Sequence, residues 1–343
     1  MNNDLFDLNA QLEEADASVA EPMPAEVLDL TGRWRARDVN YWSGKWQRLS
    51  KLVPSFTLEP FRAHSDAPAN PHLSAVVRVP LHATEHPMPV ATVSKTYHLA
   101  QHHEVVDRCF AGLRRVGVDP KSLKCEVGLS QLGEWMNFRA YFPEEYSYKP
   151  KDGNDLGLRL ECFNSVDGSS RLVILFGWLR FVCSNGLVIG ETKAELKDVH
   201  DQHLNLDVIP DMIAEGLKKV NADLQRLKKW ELATVASDAL KSWANTVVSE
   251  TWGKKAACRV FHICQTGHDV EIVDPFAKGE ATDKPVVLAG KVPGAAHPAK
   301  TLYDVSQALS WLATNRNNTE ERVDWQTAIP KMITALRELS DAA

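Results

Sequence analysis

The stretch between residues 123 and 183 most constrains the fold, because four strand signals follow one another there. Apolar and polar residues alternate in three of these segments, and the fourth, Leu172 to Cys183, is an almost unbroken apolar run. Alternation indicates strands with one face toward a core, and a continuous apolar run indicates a strand buried on both faces. Turn-forming residues at Asn164 to Ser169 and at Ser184 to Gly186 punctuate the series. The pattern predicts a meandering antiparallel sheet.

Apolar residues recur at helical spacing on both sides of these strands. One stripe predicts a helix from about Glu104 to Gly117, and another predicts a long helix that reaches Trp230. Thr301 to Asp304 resembles a capping box, and a last helix uses Ile329, Ile333 and Leu336. Weak strand patterns lie at Cys258 to Ile263 and Val270 to Val273, and the Pro- and His-rich residues 53–97 predict edge strands and loops. The fold class we expect is α+β: an antiparallel β-meander packed by helices, with a mostly helical C-terminal region.

Charge is distributed unevenly along the 343 residues, although the net charge is only −6. Residues 1–30 hold eight acids and no Lys or Arg, so the rest of the chain has 39 basic and 37 acidic residues. Composition therefore predicts four parts: an acidic mobile arm (1–30), a basic aromatic segment (31–62), an α+β core domain (63–235) and a C-terminal region of strands then helices (236–343).

The basic aromatic segment has a composition suited to single-stranded nucleic acid. It carries seven basic and two acidic residues, and its bases alternate with Trp and Tyr. A single strand needs a cationic path for its phosphates and flat side chains for its bases. The alternative is that the tryptophans are core anchors and the bases a solvated rim. We predict DNA contacts from this segment and from two arginines on predicted strands: Arg33, Trp34, Arg35, Arg37, Trp42, Lys45, Trp46, Arg48, Lys51, Arg159 and Arg180.

The chain offers little for catalysis or cofactor binding. It has no phosphate-binding Gly-rich loop, no dinucleotide fingerprint and no Gly-x-Ser-x-Gly elbow, so we expect no catalytic residue, cofactor or nucleotide hydrolysis. Cys258, His262, Cys264 and His268 would spread along an extended strand, which disfavours a shared metal ion, and we expect no metal site. The best enzymatic alternative is a metal-dependent nuclease that uses Asp167 with Glu191 and Lys193.

Cysteine usage and hydropathy indicate a cytoplasmic protein. The six cysteines are scattered through apolar runs, and the N-terminus lacks the basic and apolar regions of a signal peptide. The longest apolar run is far shorter than a membrane helix, so we expect no membrane contact.

Several motifs resemble the phage/plasmid-like protein family known as domain of unknown function nine-three-two. They are Tyr97 with the following helix, the Asn164-Ser165-x-Asp167-Gly168-Ser169 turn, the strand end from Arg180 to Asn185, and the long helix to Trp230. The segment from Thr301 to Arg316 also resembles that family's terminal helix. Val166 stands where the resemblance implies His, so a role tied to that His does not carry over.

The order helix, antiparallel strands, long helix is similar to the core of single-strand annealing recombinases. That resemblance implies a protein of a phage or plasmid-type mobile element that binds single-stranded DNA and anneals it without ATP. It also implies a homo-oligomeric ring or filament. A second hypothesis is a protein-binding inhibitor of a host defence or restriction system, whose acidic arm would dock a host protein.

Overall fold

The computed structural model describes residues 39–151, 153, 155–180, 186–187, 196–198, 200–201, 203–271, 286–289, 291–292, 294–316 and 319–341. The acidic arm, Arg33, Trp34, Arg35 and Arg37 therefore lie outside the described residues. The strand-end motif beyond Arg180 and the Glu191–Lys193 part of the nuclease hypothesis lie outside them too.

The first half of the described chain consists mainly of strands, and its second half is mainly helical. Its strands are β1 (Val39–Gly44), β2 (Phe56–Pro60), β3 (Leu73–Arg78), β4 (Met88–Ser94), β5 (Lys124–Ser130), β6 (Trp135–Tyr141), β7 (Ser147–Tyr148), β8 (Leu156–Ser165), β9 (Leu172–Arg180), β10 (Gly186–Leu187), β11 (Leu196–Asp198), β12 (Asp269–Glu271) and β13 (Val286–Ala289). Its α-helices are α1 (Trp46–Leu49), α2 (His102–Arg115), α3 (Ile209–Leu232), α4 (Ser237–Trp243), α5 (Ser249–Trp252), α6 (Lys254–Thr266), α7 (Leu302–Thr314) and α8 (Thr319–Asp341).

The main sheet confirms the predicted antiparallel meander. Its strand order is β1-β5-β6-β8-β9-β10, with β7 added on β8 and β11 on β9. All of these pairings are antiparallel, and the register places Glu126 opposite Arg139 and Arg139 opposite Glu161. The α+β fold class is therefore confirmed. A separate antiparallel sheet, β2-β3-β4, contains the edge strands predicted between residues 53 and 97.

Both faces of the main sheet contain buried residues; one face is apolar and the other includes charged side chains. Cys125, Val127, Phe138 and Leu160 belong to the apolar core that also contains the inward stripes of α2 and α3. The alternate residues of the same strands include charged groups and are buried as well. The apolar core is continuous from Leu49 to Leu336, so it spans the boundaries predicted at residues 62 and 235.

The predicted helices are confirmed at α2, α3, α7 and α8. The capping box of α7 is present: Asp304 N donates to Thr301 Oγ1 at 3.1 Å, and Thr301 N donates to Asp304 Oδ2 at 2.9 Å. Each bond gives an acceptor to a backbone N–H that has no intrahelical partner at the start of the helix. None of the described helices combines the length and apolarity needed to cross a bilayer.

The predicted strand at Cys258 to Ile263 is wrong, because these residues form part of α6. Most side chains buried along this helix follow helical spacing; the buried set is Ala256, Ala257, Cys258, Val260, Ile263 and Cys264. Good helix formers at Lys254 to Ala257 begin the element, and Gly267, at φ 73°, ends it.

Candidate nucleic-acid groove

A groove of about 370 Å³ lies beside β1 and the turn that follows α1. It brings together Trp42, Arg48 and Lys51 from the predicted DNA-binding set. Arg78 and His82, which sequence reasoning missed, line its other side together with Glu85. Among the described residues, the groove thus joins two arginines, one lysine and one indole with a single carboxylate.

The local sequence explains why these side chains face outward. Leu49 is fully buried, and the Trp46 ring lies 5.2 Å from that of Phe138 and 6.0 Å from that of Phe110. Both residues therefore fix α1 against the apolar core. Lys51 is exposed and Arg48 half-buried on the groove side. Trp46 packs in the core, as the alternative hypothesis for the tryptophans predicts. Half-buried Trp42 instead reaches the groove.

The floor of the groove is the β5–β6 turn, from Leu129 to Gly133. Gly133 adopts φ 77°, and a Cβ there would lie 2.4 Å from Pro54 Cγ, so only glycine fits. The carbonyl of Gly133 accepts a hydrogen bond from His102 Nε2 at 2.9 Å. Asn164 Nδ2 contacts the other ring nitrogen of His102 at 2.8 Å and donates to the Ala100 carbonyl at 3.0 Å. Buried His102 and Asn164 therefore hold the floor in place.

His102 is neutral in this arrangement. Burial lowers its pKa to about 4, although the hydrogen bond to Gly133 acts in the opposite direction. A neutral ring that donates from Nε2 accepts at Nδ1, so the Asn164 amide is the donor there.

Of the predicted DNA-binding residues that the structure describes, Lys45, Arg159 and Arg180 do not line this groove. Lys45 Nζ donates to the Ser122 carbonyl at 3.0 Å, at an exposed position. Arg180 ends β9, where it pairs with Leu156. Arg159 is only 1% exposed, and its guanidinium lies 3.0 Å from Glu161. A side chain buried in this way does not face solvent, so we leave Arg159 out of the proposed interface.

Arg159 belongs instead to a buried charged cluster on the second face of the main sheet, which sequence reasoning also missed. Arg139 lies between two carboxylates: NH1 contacts Glu126 at 2.7 Å and Nε contacts Glu161 at 3.0 Å. Arg322 of α8 places its guanidinium 5.1 Å from the centre of the Phe163 ring. The cluster is Glu126, Arg139, Arg159, Glu161 and Arg322, each at most 2% exposed.

Electrostatics within this cluster favour the charged form of Glu161. Burial raises the pKa of Glu161, but Arg159, Arg139 and Arg322 together hold it below its ordinary value. Burial lowers the pKa of Arg322 to about 9, and Glu161 counteracts that effect. The alternation of these residues with apolar ones was the available signal. It suits a solvated sheet face equally well, so it did not distinguish burial from exposure.

The turn between β8 and β9 gathers other residues of the recognised motifs. Tyr97 donates from its hydroxyl to the Ser165 carbonyl at 3.3 Å, and its ring stacks on His200 at 5.5 Å. Asp167 Oδ1 accepts from the Ser169 N–H at 2.9 Å, which is a turn-stabilising bond. Within the described residues, no group of three His, Cys, Asp or Glu side chains is placed to hold a metal ion.

The family model for domain of unknown function 932 (DUF932) matches residues 89–323, which is more than two thirds of the chain. The chain belongs to the DUF932 family. No curated protein and no solved structure matches it. The groove floor, His102, Asn164 and the buried charged cluster lie inside the DUF932 match. Trp42, Arg48, Lys51, Arg78, His82 and Glu85 precede it.

Proposed function

We propose that this protein binds single-stranded DNA in the groove beside Trp42 and promotes strand annealing or recombination without nucleotide hydrolysis. The observation that carries the proposal is that Arg48, Lys51, Arg78 and Trp42 line the same groove. Cations neutralise phosphates and release their counterions, and an aromatic face accepts a base of any sequence. A groove of this chemistry suits an unpaired strand, whose bases are free to stack.

The element order supports the annealing part of the proposal. Helix α2 precedes the strands β5, β6, β8 and β9, and the long helix α3 follows them. This order is similar to the core of single-strand annealing recombinases, and annealing requires neither a nucleophile nor a nucleotide site. In this proposal the protein acts in a phage or plasmid-type mobile element, as a homo-oligomeric ring or filament that presents the bases of one strand for pairing.

The direct test is fluorescence anisotropy with a labelled single-stranded oligonucleotide across a salt series. We expect the Arg48→Ala/Lys51→Ala variant to bind more weakly for every sequence and to flatten the slope of log K against log salt by about 1.4, because two phosphate contacts are lost. The matched control is Arg114→Ala/Lys121→Ala, which removes two exposed cations outside the groove. Equal affinities for the wild type and the groove variant, or no binding at low salt, would overturn the proposal.

Assembly and annealing are measured separately. Light scattering after size exclusion, with and without the oligonucleotide, should report a multi-subunit species. Mixing two complementary labelled strands should show faster pairing with the wild type than with Arg48→Ala/Lys51→Ala. Binding without acceleration of pairing would retain the groove and remove the annealing activity.

A further inference from the structure

One wall of the groove contains a carboxylate, that of Glu85, which two hydrogen-bond donors hold. One carboxylate oxygen of Glu85, Oε2, lies 2.8 Å from Arg78 NH2 and 2.9 Å from the backbone nitrogen of Leu81. Both groups donate to that oxygen. A guanidinium and a backbone N–H that converge on one oxygen are the donors with which proteins commonly hold a phosphate.

The position of the Arg78–Glu85 pair favours a role in ligand binding over that of an ordinary surface ion pair. The Arg78 side chain is 18% exposed and that of Glu85 is 31% exposed, and both line the groove with Arg48 and Lys51. The pKa of Glu85 is lowered, first by the Leu81 N–H and then by Arg78, so the carboxylate is ionised at neutral pH. Its negative charge therefore lies within the cationic path that a strand would follow.

We infer that Arg78 and the Leu81 N–H form a phosphate subsite of the groove, which the Glu85 carboxylate occupies in the free protein and a DNA phosphate takes over on binding. This inference rests on the proposed function and names a part of the same site. Glu85 thereby weakens the binding of every strand equally, because its displacement involves no base.

The first test is Glu85→Gln in the same anisotropy assay. The amide retains an acceptor for the Leu81 N–H but loses the charge that holds Arg78, so we expect tighter binding by about fivefold at low salt, the scale of one part-exposed ion pair. Glu59→Gln is the matched control, because it removes one exposed negative charge from the same small sheet outside this groove. It should change affinity less than twofold. Glu85→Asp keeps the charge but has a side chain one methylene shorter, which draws the carboxylate back from Arg78 and the Leu81 N–H, so it should tighten binding by a smaller factor.

The deciding measurement repeats Glu85→Gln in an Arg78→Ala background. If Glu85 acts by occupying the Arg78 subsite, its removal has no further effect once Arg78 is absent. A gain that persists in the Arg78→Ala background would mean that only bulk charge matters, and the subsite would be refuted. In the wild type, the amide resonance of Leu81 should also shift as the oligonucleotide is added.

The outcomes separate the two proposals. If Glu85→Gln binds as the wild type does while Arg48→Ala/Lys51→Ala binds weakly, the subsite is wrong and the groove stands. If Glu85→Gln only lowers the melting temperature, the ion pair serves the fold alone. If no variant and no wild-type sample retains the oligonucleotide, the proposed function fails, and the subsite fails with it.

Discussion

Glu161→Gln tests whether the buried charged cluster contributes to folding. The Glu161 carboxylate receives hydrogen bonds from Arg139 Nε at 3.0 Å and Asn137 Nδ2 at 3.1 Å, and Arg159 NH2 lies 3.0 Å from it. Removing one partner from a buried ion pair costs about 3–5 kcal/mol, because it leaves charge in a low-dielectric interior. Gln keeps one acceptor oxygen, so we expect a loss near the lower limit, about 3 kcal/mol.

Urea denaturation followed by fluorescence measures this loss. The exposed Glu145 supplies the control, since Glu145→Gln should change the free energy of unfolding by less than about 0.5 kcal/mol. The folded-state pKa of Glu161 lies below its ordinary value of 4.5, so its contribution is present above that pH and is lost as pH falls through the folded-state pKa. The gap between wild type and variant should therefore narrow in acid. A loss below about 1 kcal/mol at neutral pH would refute the reasoning.

Two further changes probe the sheet and the groove floor. Gly128→Ala places a Cβ 2.4 Å from Cε1 of Tyr41, so we expect a loss of about 1–3 kcal/mol in urea denaturation from overpacking. The folded-state pKa of His102 is about 4 against an ordinary 6.5, so only the unfolded chain gains this proton between those values. Stability should fall by up to about 1.4 kcal/mol per pH unit as pH decreases through that window, and His102→Gln should remove this part of the slope.

Each of these two predictions has its own check. Tyr41→Ala in the Gly128→Ala background should recover part of the loss, and full additivity of the two changes would rule out the clash. For His102, unfolding curves of wild type and His102→Gln that stay parallel from pH 4 to 6.5 would show that the ring is protonated in the folded protein as well.

The sequence correctly predicted the elements whose apolar residues follow one clear spacing. It failed to predict the element in which both helical and strand spacing fit. The stripes of α2 and α3 and the capping box at Thr301 were readable because each has one interpretation. Cys258, Val260 and Cys264 fit a strand by alternation, but the structure forms a helix here, on which Val260, Ile263 and Cys264 are buried at helical spacing. Local pattern alone carries no information on that choice.

The candidate groove was predictable in part for a related reason. Arg48 and Lys51 stood out because bases and tryptophans are close in sequence there. Arg78 and Glu85 reach the groove from the second sheet, through a connection rich in Pro and His that indicated only edges and loops. Arg159 showed the reverse error, since a charged residue on an alternating strand was assigned to the surface, and the structure buries it beside Glu161.

The buried charged cluster also fixes how the main sheet is aligned. Side chains alternate between faces, so a slip of one residue in β6 would turn Arg139 into the layer that Phe138 occupies and bring Phe138 among the carboxylates. In a sheet whose two faces are both apolar, such a slip would exchange one hydrophobic side chain for another at small cost. Here a shift of β6 by one residue would place the Arg139 guanidinium in the apolar layer without its carboxylate partners, so the buried charged cluster disfavours that alignment strongly.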